Sequence, residues 1–223
     1  MAESHGREIA EHYLPSRYHY WYARSKLASD PLYSAVQGVF SQCRAPLLDV
    51  GCGIGLLPQW LSACSAGSSS DSLEYLGVDI DADKIGIART AATRAGLRQT
   101  RFDVTDLAGG LPPHSGSVAI LDVLQYLAPA ARDELLVAAA SCVTSEGNLV
   151  IRAGLADRSW RAAITRFTDK LGHLSRWMST PPQAQPTAQG IQDLLARHGL
   201  RCEFTPLAGK TPFNNWLIVG RRL

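Results

Sequence analysis

The chain has 223 residues, of which 46% are hydrophobic and 19% charged; Lys plus Arg total 22 and Asp plus Glu 20, a formal charge of +2. That apolar share fills the core of one domain, which excludes wholesale disorder, and the near balance of charge excludes a global nucleic-acid-binding field. No run reaches the roughly 18 apolar residues of a membrane span, the first residues carry no apolar signal core, and Cys43, Cys52, Cys64, Cys142 and Cys202 are odd in number with no C-x-x-C pair, so a reduced, cytoplasmic protein without a disulfide framework or zinc knuckle is expected.

Ahead of residue 45 the chain reads as helical. Asp30 before Pro31 predicts an N-cap with proline in the first turn, and the helix runs on through Phe40 to Cys43. Pro46 to Val50 is a short buried strand entering glycines, and Leu56 to Cys64 a helix. Leu73 to Ile80 is a strand ending in acid, and Asp81 caps the next helix, which runs to Arg94. Strands follow at Gln99 to Val104 and Val118 to Asp122, then a helix from Arg132 to Val143 and a strand from Asn148 to Arg152. A helix from Ile191 to His198 precedes two strands, Arg201 to Pro206 and Asn215 to Gly220, too close in sequence for a crossover helix and so paired antiparallel. Strand and helix alternate from 46 to 152, the pattern of a parallel sheet covered on both faces. Ala66 to Ser72 is a polar loop, and Pro181 to Pro186 a connection between elements.

The strongest signal is Leu48-Asp49-Val50-Gly51-Cys52-Gly53-Ile54-Gly55-Leu56. Three alternating glycines exceed what a bare strand-to-helix turn needs, and such a loop lets a ligand approach the backbone. A dinucleotide fingerprint requires its last glycine at 56, where leucine stands, and no G-K-[ST] follows for a nucleoside triphosphate loop. An acid at 49 suits a ligand with a positive centre or amino group better than a pyrophosphate. A nicotinamide-dependent enzyme is therefore opposed by Leu56 and Asp49. Asp79 and Asp103 read singly as a helix cap and a turn acid, but together they end successive strands, where open α/β sheets bind ligands. A carboxylate accepts from two hydroxyls at once, or from an exocyclic amine.

Asp49-x-Gly51-x-Gly53-x-Gly55 resembles motif I of the class I S-adenosylmethionine-dependent methyltransferases, and the resemblance continues in order over residues 46–152. Leu76-Gly77-Val78-Asp79-Ile80-Asp81 resembles motif II, which implies that Asp79 takes the ribose hydroxyls, with Ile80 beside it. Arg101-Phe102-Asp103-Val104 resembles motif III, which implies that Asp103 meets the adenine amino group and the Val104 amide a ring nitrogen. Val118 to Leu127 resembles the fourth-strand motif at the methionine end, which brings in Asp122 and Val123. The implied cofactor is S-adenosylmethionine, with S-adenosylhomocysteine as product, held by Asp49, Gly51, Cys52, Gly53, Gly55, Asp79, Ile80, Asp103, Val104, Asp122 and Val123. The implied fold is α/β: a Rossmann-like seven-stranded sheet in the order 3-2-1-4-5-7-6, strand 7 antiparallel, with helices on both faces. The implied division is a helical lid over residues 1–44 and a methyltransferase domain over 45–223 with a helical insertion at about 155–180.

The acceptor must be read from the remaining segments. Asp122-Val123-Leu124-Gln125 lacks the N/D-P-P-Y/F pattern of base amine methylation, no Pro-Cys nucleophile and no catechol-type metal cluster occurs, and no nucleic acid partner is expected. Between Tyr13 and Ala23 aromatics crowd the sequence, so Tyr13, Arg17, Tyr18, His19 and Tyr22 are lid candidates; a helix packing an aromatic stripe on the sheet is the plain alternative. His19, Tyr22 and Tyr126 are the catalytic candidates, with His19 as the general base. From Asp157 to Met178, Trp160, Ile164, Phe167, Leu171, Leu174 and Met178 form one helical stripe with Arg and Lys around it. That is either a core-covering helix or one touching an inner membrane surface, a second copy or an acylated substrate. Asn214 and Asn215 are turn residues that can also bond an acceptor. The Tyr-Trp-Tyr-Ala-Arg-x-Lys-Leu of residues 20–27 and the Pro-Phe-Asn-Asn of 212–215 are similar to methyltransferases accompanying aryl-polyene pigment biosynthesis, which implies an aromatic or polyketide-like acceptor, free or on a carrier. A cofactor-binding scaffold without catalysis, acting through a protein partner, is the alternative; the oligomeric state is left open.

Overall fold

In the computed structural model, which describes residues 2–41, 43–65, 73–156, 185–207 and 214–223, seven strands form one sheet: β1 (Leu47–Val50), β2 (Tyr75–Asp79), β3 (Thr100–Val104), β4 (Ser117–Leu121), β5 (Leu149–Gly154), β6 (Leu200–Pro206) and β7 (Asn215–Arg222). Their order is β3-β2-β1-β4-β5-β7-β6. β1 to β5 pair in parallel, and β7 lies antiparallel between β5 and β6.

Alternate residues of the central strands feed two separate cores, as a pleated sheet covered on both faces requires. Leu48 and Val50 of β1, with Val118, Ile120 and Ile151, pack toward Leu135, Leu136 and Ala139 of α6 (Pro129–Cys142) and toward Ile191 and Leu195 of α7 (Ala188–Arg197). Leu47, Ala119 and Val150 face the other way, against Val36 and Phe40 of α3 (Leu32–Phe40), Leu57 and Leu61 of α4 (Leu56–Ser65), and Ile85 and Ala88 of α5 (Ala82–Arg94).

A third core joins the start of the chain to the glycine turn. Ile9 and Ala10 of α1 (Ala2–Glu11), Tyr13, and Ala23 and Leu27 of α2 (Arg17–Ser29) pack with Ile54, Leu56, Trp60 and Ala91. Ser16 caps α2, its hydroxyl accepting from the His19 amide. The expected helix from Asp30 to Cys43 is shorter, Leu32–Phe40, because Asp30 belongs to the end of α2: its backbone N–H bonds the Lys26 carbonyl. Its carboxylate nonetheless accepts from the Leu32 amide, so the residue serves both helices. The Asp157 to Met178 stripe, the Ala66 to Ser72 loop, residues 181–184 and residues 208–213 lie outside the described residues. Among the described residues no helix is long and apolar enough to cross a membrane, and no group of His, Cys, Asp or Glu is arranged to hold a metal ion.

Candidate active site

The turn after β1 is held from both sides. The amides of Gly51 and Cys52 both donate to the Val78 carbonyl, at 2.8 and 3.0 Å, and the Gly53 amide donates to Asp79 Oδ2 at 2.9 Å. Gly51 has φ +75° and Gly53 φ +56°, a region that side chains disfavour. Their surroundings differ. A Cβ on Gly51 would stand 2.3 Å from Val123 Cγ2, whereas among the described residues a Cβ on Gly53 would meet nothing within 4 Å. Gly51 therefore lets two segments of the protein close together, and Gly53 presents bare backbone on an open side of the turn.

Asp79 is half-buried at the end of β2; Oδ1 accepts from the Asp81 amide and Oδ2 from Gly53, leaving each oxygen further acceptor capacity. It is not the cap of α5. Asp81 fills that place, accepting from the amides of Asp83 and Lys84, and those bonds hold its carboxyl below the usual range. Asp103 is the last residue but one of β3, one strand away and in register with Val78, its carboxylate exposed and 3.4 Å from Arg89 Nη2. The residues after the two acids, Ile80 and Val104, leave large apolar side chains 68% and 51% exposed at this same edge.

Asp49 and Cys52 take a different place from the one their motif suggests. Asp49 is buried beneath the turn, accepting the Tyr75 hydroxyl at 2.5 Å on Oδ2, while its buried Oδ1 has no partner among the described residues. Burial pushes this carboxyl up to about 7; Asp79 adds to the rise and the Tyr75 bond opposes it. Asp49 supports the loop from below rather than standing open to a ligand. Cys52 turns its thiol inward against Gly77, and burial first, then Asp49 and Asp79, raise its pKa so that it stays a thiol. Gly55 is likewise packed, against Phe102 and Ala88.

At the end of β4, Asp122 adopts φ +63°, uncommon for a residue with a side chain. Its Oδ2 accepts from Arg152 Nη1 at 2.7 Å, and its amide donates to the Arg152 carbonyl at 3.2 Å. The same Nη1 donates to Asp30 Oδ2 at 2.8 Å; Lys26 Nζ lies 2.9 Å from Asp30 and 3.6 Å from Asp122. Sequence patterns did not single out Lys26, Asp30 or Arg152 for this role. Val123 packs on Gly51, and Tyr126 is half-buried in the short turn Leu124–Tyr126 that follows.

The N-terminal helices reach this edge. Arg94 of α5 donates to the carbonyls of His12 and Leu14. Tyr13 is no lid residue: it is buried, its hydroxyl donating to the Ile54 carbonyl at 2.9 Å and accepting from Gln59 Nε2 at 2.6 Å, and Gln59 Oε1 lies 2.6 Å from His12 Nδ1. This chain of bonds ties the end of α1 to the glycine turn. One face of α2 carries an open groove of about 510 Å³ lined by Tyr18, Trp21, Tyr22, Ser25 and Lys26. Burial raises the Tyr22 pKa, partly offset by Lys26, so its hydroxyl stays protonated. His19 lies one position round the helix from that face and is not among the lining residues; its ring meets Tyr18 edge-on. Arg17, exposed in the first turn of α2, is outside the lining as well.

Residues 48–149 match a family model described as a methyltransferase domain. A search of curated proteins returns no significant match. In fold the chain is similar to magnesium protoporphyrin IX methyltransferase from Synechocystis PCC 6803 with bound SAH (TM-score 0.66, 20% identity, 86% of this chain and 82% of that one). It is also similar to an O-methyltransferase family protein from Burkholderia thailandensis (TM-score 0.67, 19% identity, 93% of this chain and 60% of that one). A third similar structure is the mitomycin 7-O-methyltransferase MmcR (TM-score 0.64, 18% identity, 97% of this chain and 60% of that one). The chain thus spans about three fifths of the length of the last two.

Proposed function

We propose that the chain, whose residues 48–149 match a methyltransferase domain, is a class I S-adenosylmethionine-dependent methyltransferase that acts on a small, flat aromatic or polyketide-like acceptor held against α2. The cofactor supplies an activated methyl group on a positively charged sulfur; the protein's work is to bind, orient and keep water away. The residues present fit that cofactor. Gly53 offers open backbone, Asp79 has acceptor capacity for ribose hydroxyls, and Asp103 has the same for an amine. Ile80 and Val104 offer exposed apolar surface to a flat ring, and Asp122 offers a carboxylate to a cation.

The observation that carries the acceptor class is the groove on α2. Tyr18 and Trp21 leave more than half of their surface exposed there, and Lys26 belongs both to the groove and to the charged cluster at Asp122. Aromatic walls beside a cation suit a flat ring bearing an oxygen. Tyr22, kept protonated, is not suited to removing a proton from the acceptor. The acceptors named for similar folds, a protoporphyrin and mitomycin, are ring systems too, which supports the same reading.

The test is transfer of radiolabelled methyl from S-adenosylmethionine to a panel of hydroxylated flat aromatics, free and carrier-linked. The expected result is transfer to members of the panel, lost in Trp21→Ala while S-adenosylhomocysteine still binds. Binding without transfer to any acceptor class would favour the scaffold instead, and transfer confined to nucleic acid would sink the acceptor assignment.

A further inference from the structure

Four charged side chains meet where α2, β4 and β5 converge. Arg152 and Asp30 are each only 7% exposed at the side chain, and Asp122 is 32% exposed. One nitrogen, Arg152 Nη1, serves both carboxylates, at 2.8 Å to Asp30 and 2.7 Å to Asp122. Lys26 stands closer to Asp30, at 2.9 Å, than to Asp122, at 3.6 Å. Asp30 closes α2 through its backbone and starts α3 through its side chain. Asp122 occupies a left-handed backbone that Arg152 braces by a side-chain bond and a main-chain bond. Arg152 is thus the joint between the helix carrying the aromatic groove and the carboxylate at the end of β4.

We propose that Arg152 is a positioning residue that links occupation of the cleft at Asp122 to the seating of α2. This rests on reading Asp122 as a contact for the cationic amino-acid end of S-adenosylmethionine. Two carboxylates share the charge and the two N–H groups of one guanidinium nitrogen. When a cation from the ligand shares the charge of Asp122, Arg152 and Lys26 are freed to hold Asp30 more closely, and the tie to α2 tightens. The linkage is reciprocal: a seated α2 relieves Asp122 of its internal partners and favours the ligand. The acceptor wall is therefore in place when the methyl donor is bound.

S-adenosylhomocysteine, which keeps the amino-acid end, is the probe. Trypsin cleavage within α2, after Arg17, Arg24 or Lys26, is followed by mass spectrometry with and without it, and calorimetry measures its binding to the same samples. In the wild-type protein, saturation should slow cleavage by at least about fivefold, the lower end of ordinary coupling between sites. Asp30→Asn, which removes the charge that Arg152 and Lys26 hold at α2 while keeping an oxygen for the Leu32 amide, should still bind the probe but lose that protection. Arg152→Met removes both links, and it should behave alike. Circular dichroism establishes that each variant is folded, and either one suffices for the test. Full protection in a folded variant that binds the probe overturns the proposal, as does a wild-type protein that binds it without protection. A wild-type protein that does not bind the probe at all removes the cofactor reading first, and the linkage with it.

Discussion

Gly51 and Gly53 share a left-handed backbone but not a neighbourhood, and the difference separates folding from binding. Gly51→Ala drives a methyl group into Val123, so backbone strain and overpacking should together cost about 2–4 kcal/mol of stability. Gly53→Ala meets no atom of the described residues and should cost only about 1–2 kcal/mol, yet it should weaken S-adenosylhomocysteine binding by tenfold or more. Urea unfolding and calorimetry on the two variants check this; a Gly53→Ala protein with wild-type affinity contradicts it. Asp49 gives a pH dependence. Its carboxyl sits at about 7 in the folded protein against an ordinary 3.8. Between those values the native state keeps a proton that the unfolded chain has lost, so stability from this group is fully present below pH 4 and falls as pH rises toward 7. The difference in melting temperature between wild type and Asp49→Asn should accordingly change across pH 4.5–7.5 and level off above it; parallel curves contradict this reading.

At the scale of elements, the strands and their acids were legible because each rests on local pattern: a buried run, then an acid or glycines, then a helix. Asp79, Asp81 and Asp103 came out at strand ends and helix starts for that reason. Burial of an aromatic is not a local property. Tyr13 and Tyr18 stand in the same crowded stretch, yet Tyr13 is packed under the turn and Tyr18 lines the open groove. Nor is a charge cluster spanning 122 positions, as between Asp30 and Arg152, visible to any periodicity. The local pattern marks Asp30 as the start of one helix, and its side chain does make the capping bond of a start, but its backbone also closes the helix before it. The tie between α1 and the glycine turn is testable as a unit. Tyr13→Phe removes the hydroxyl that serves both Ile54 and Gln59, taking the donor from the Ile54 carbonyl and leaving Gln59 Nε2 only its 3.5 Å bond to the Gly55 carbonyl, and should lower stability by about 1–3 kcal/mol. A variant as stable as wild type in urea would show that packing alone holds α1 in place.

For the whole molecule, the strand order 3-2-1-4-5-7-6 and the antiparallel last strand were expected and are present. This topology gathers the ends of β1 to β4 on one edge, so that Gly53, Asp79, Asp103 and Asp122, scattered over 70 positions of sequence, share it. The N-terminal helices pack on the glycine turn and on α4 beside it, and Lys26 of α2 comes within 3.6 Å of Asp122. The central claim is that this edge binds S-adenosylmethionine, and titration calorimetry with S-adenosylhomocysteine tests it most directly. The wild-type chain should bind one equivalent, Asp79→Ala should bind it more weakly by about 1.5–3 kcal/mol while remaining folded, and NAD should give no heat. Tight NAD binding with no response to S-adenosylhomocysteine, or unchanged affinity in Asp79→Ala, would contradict the account.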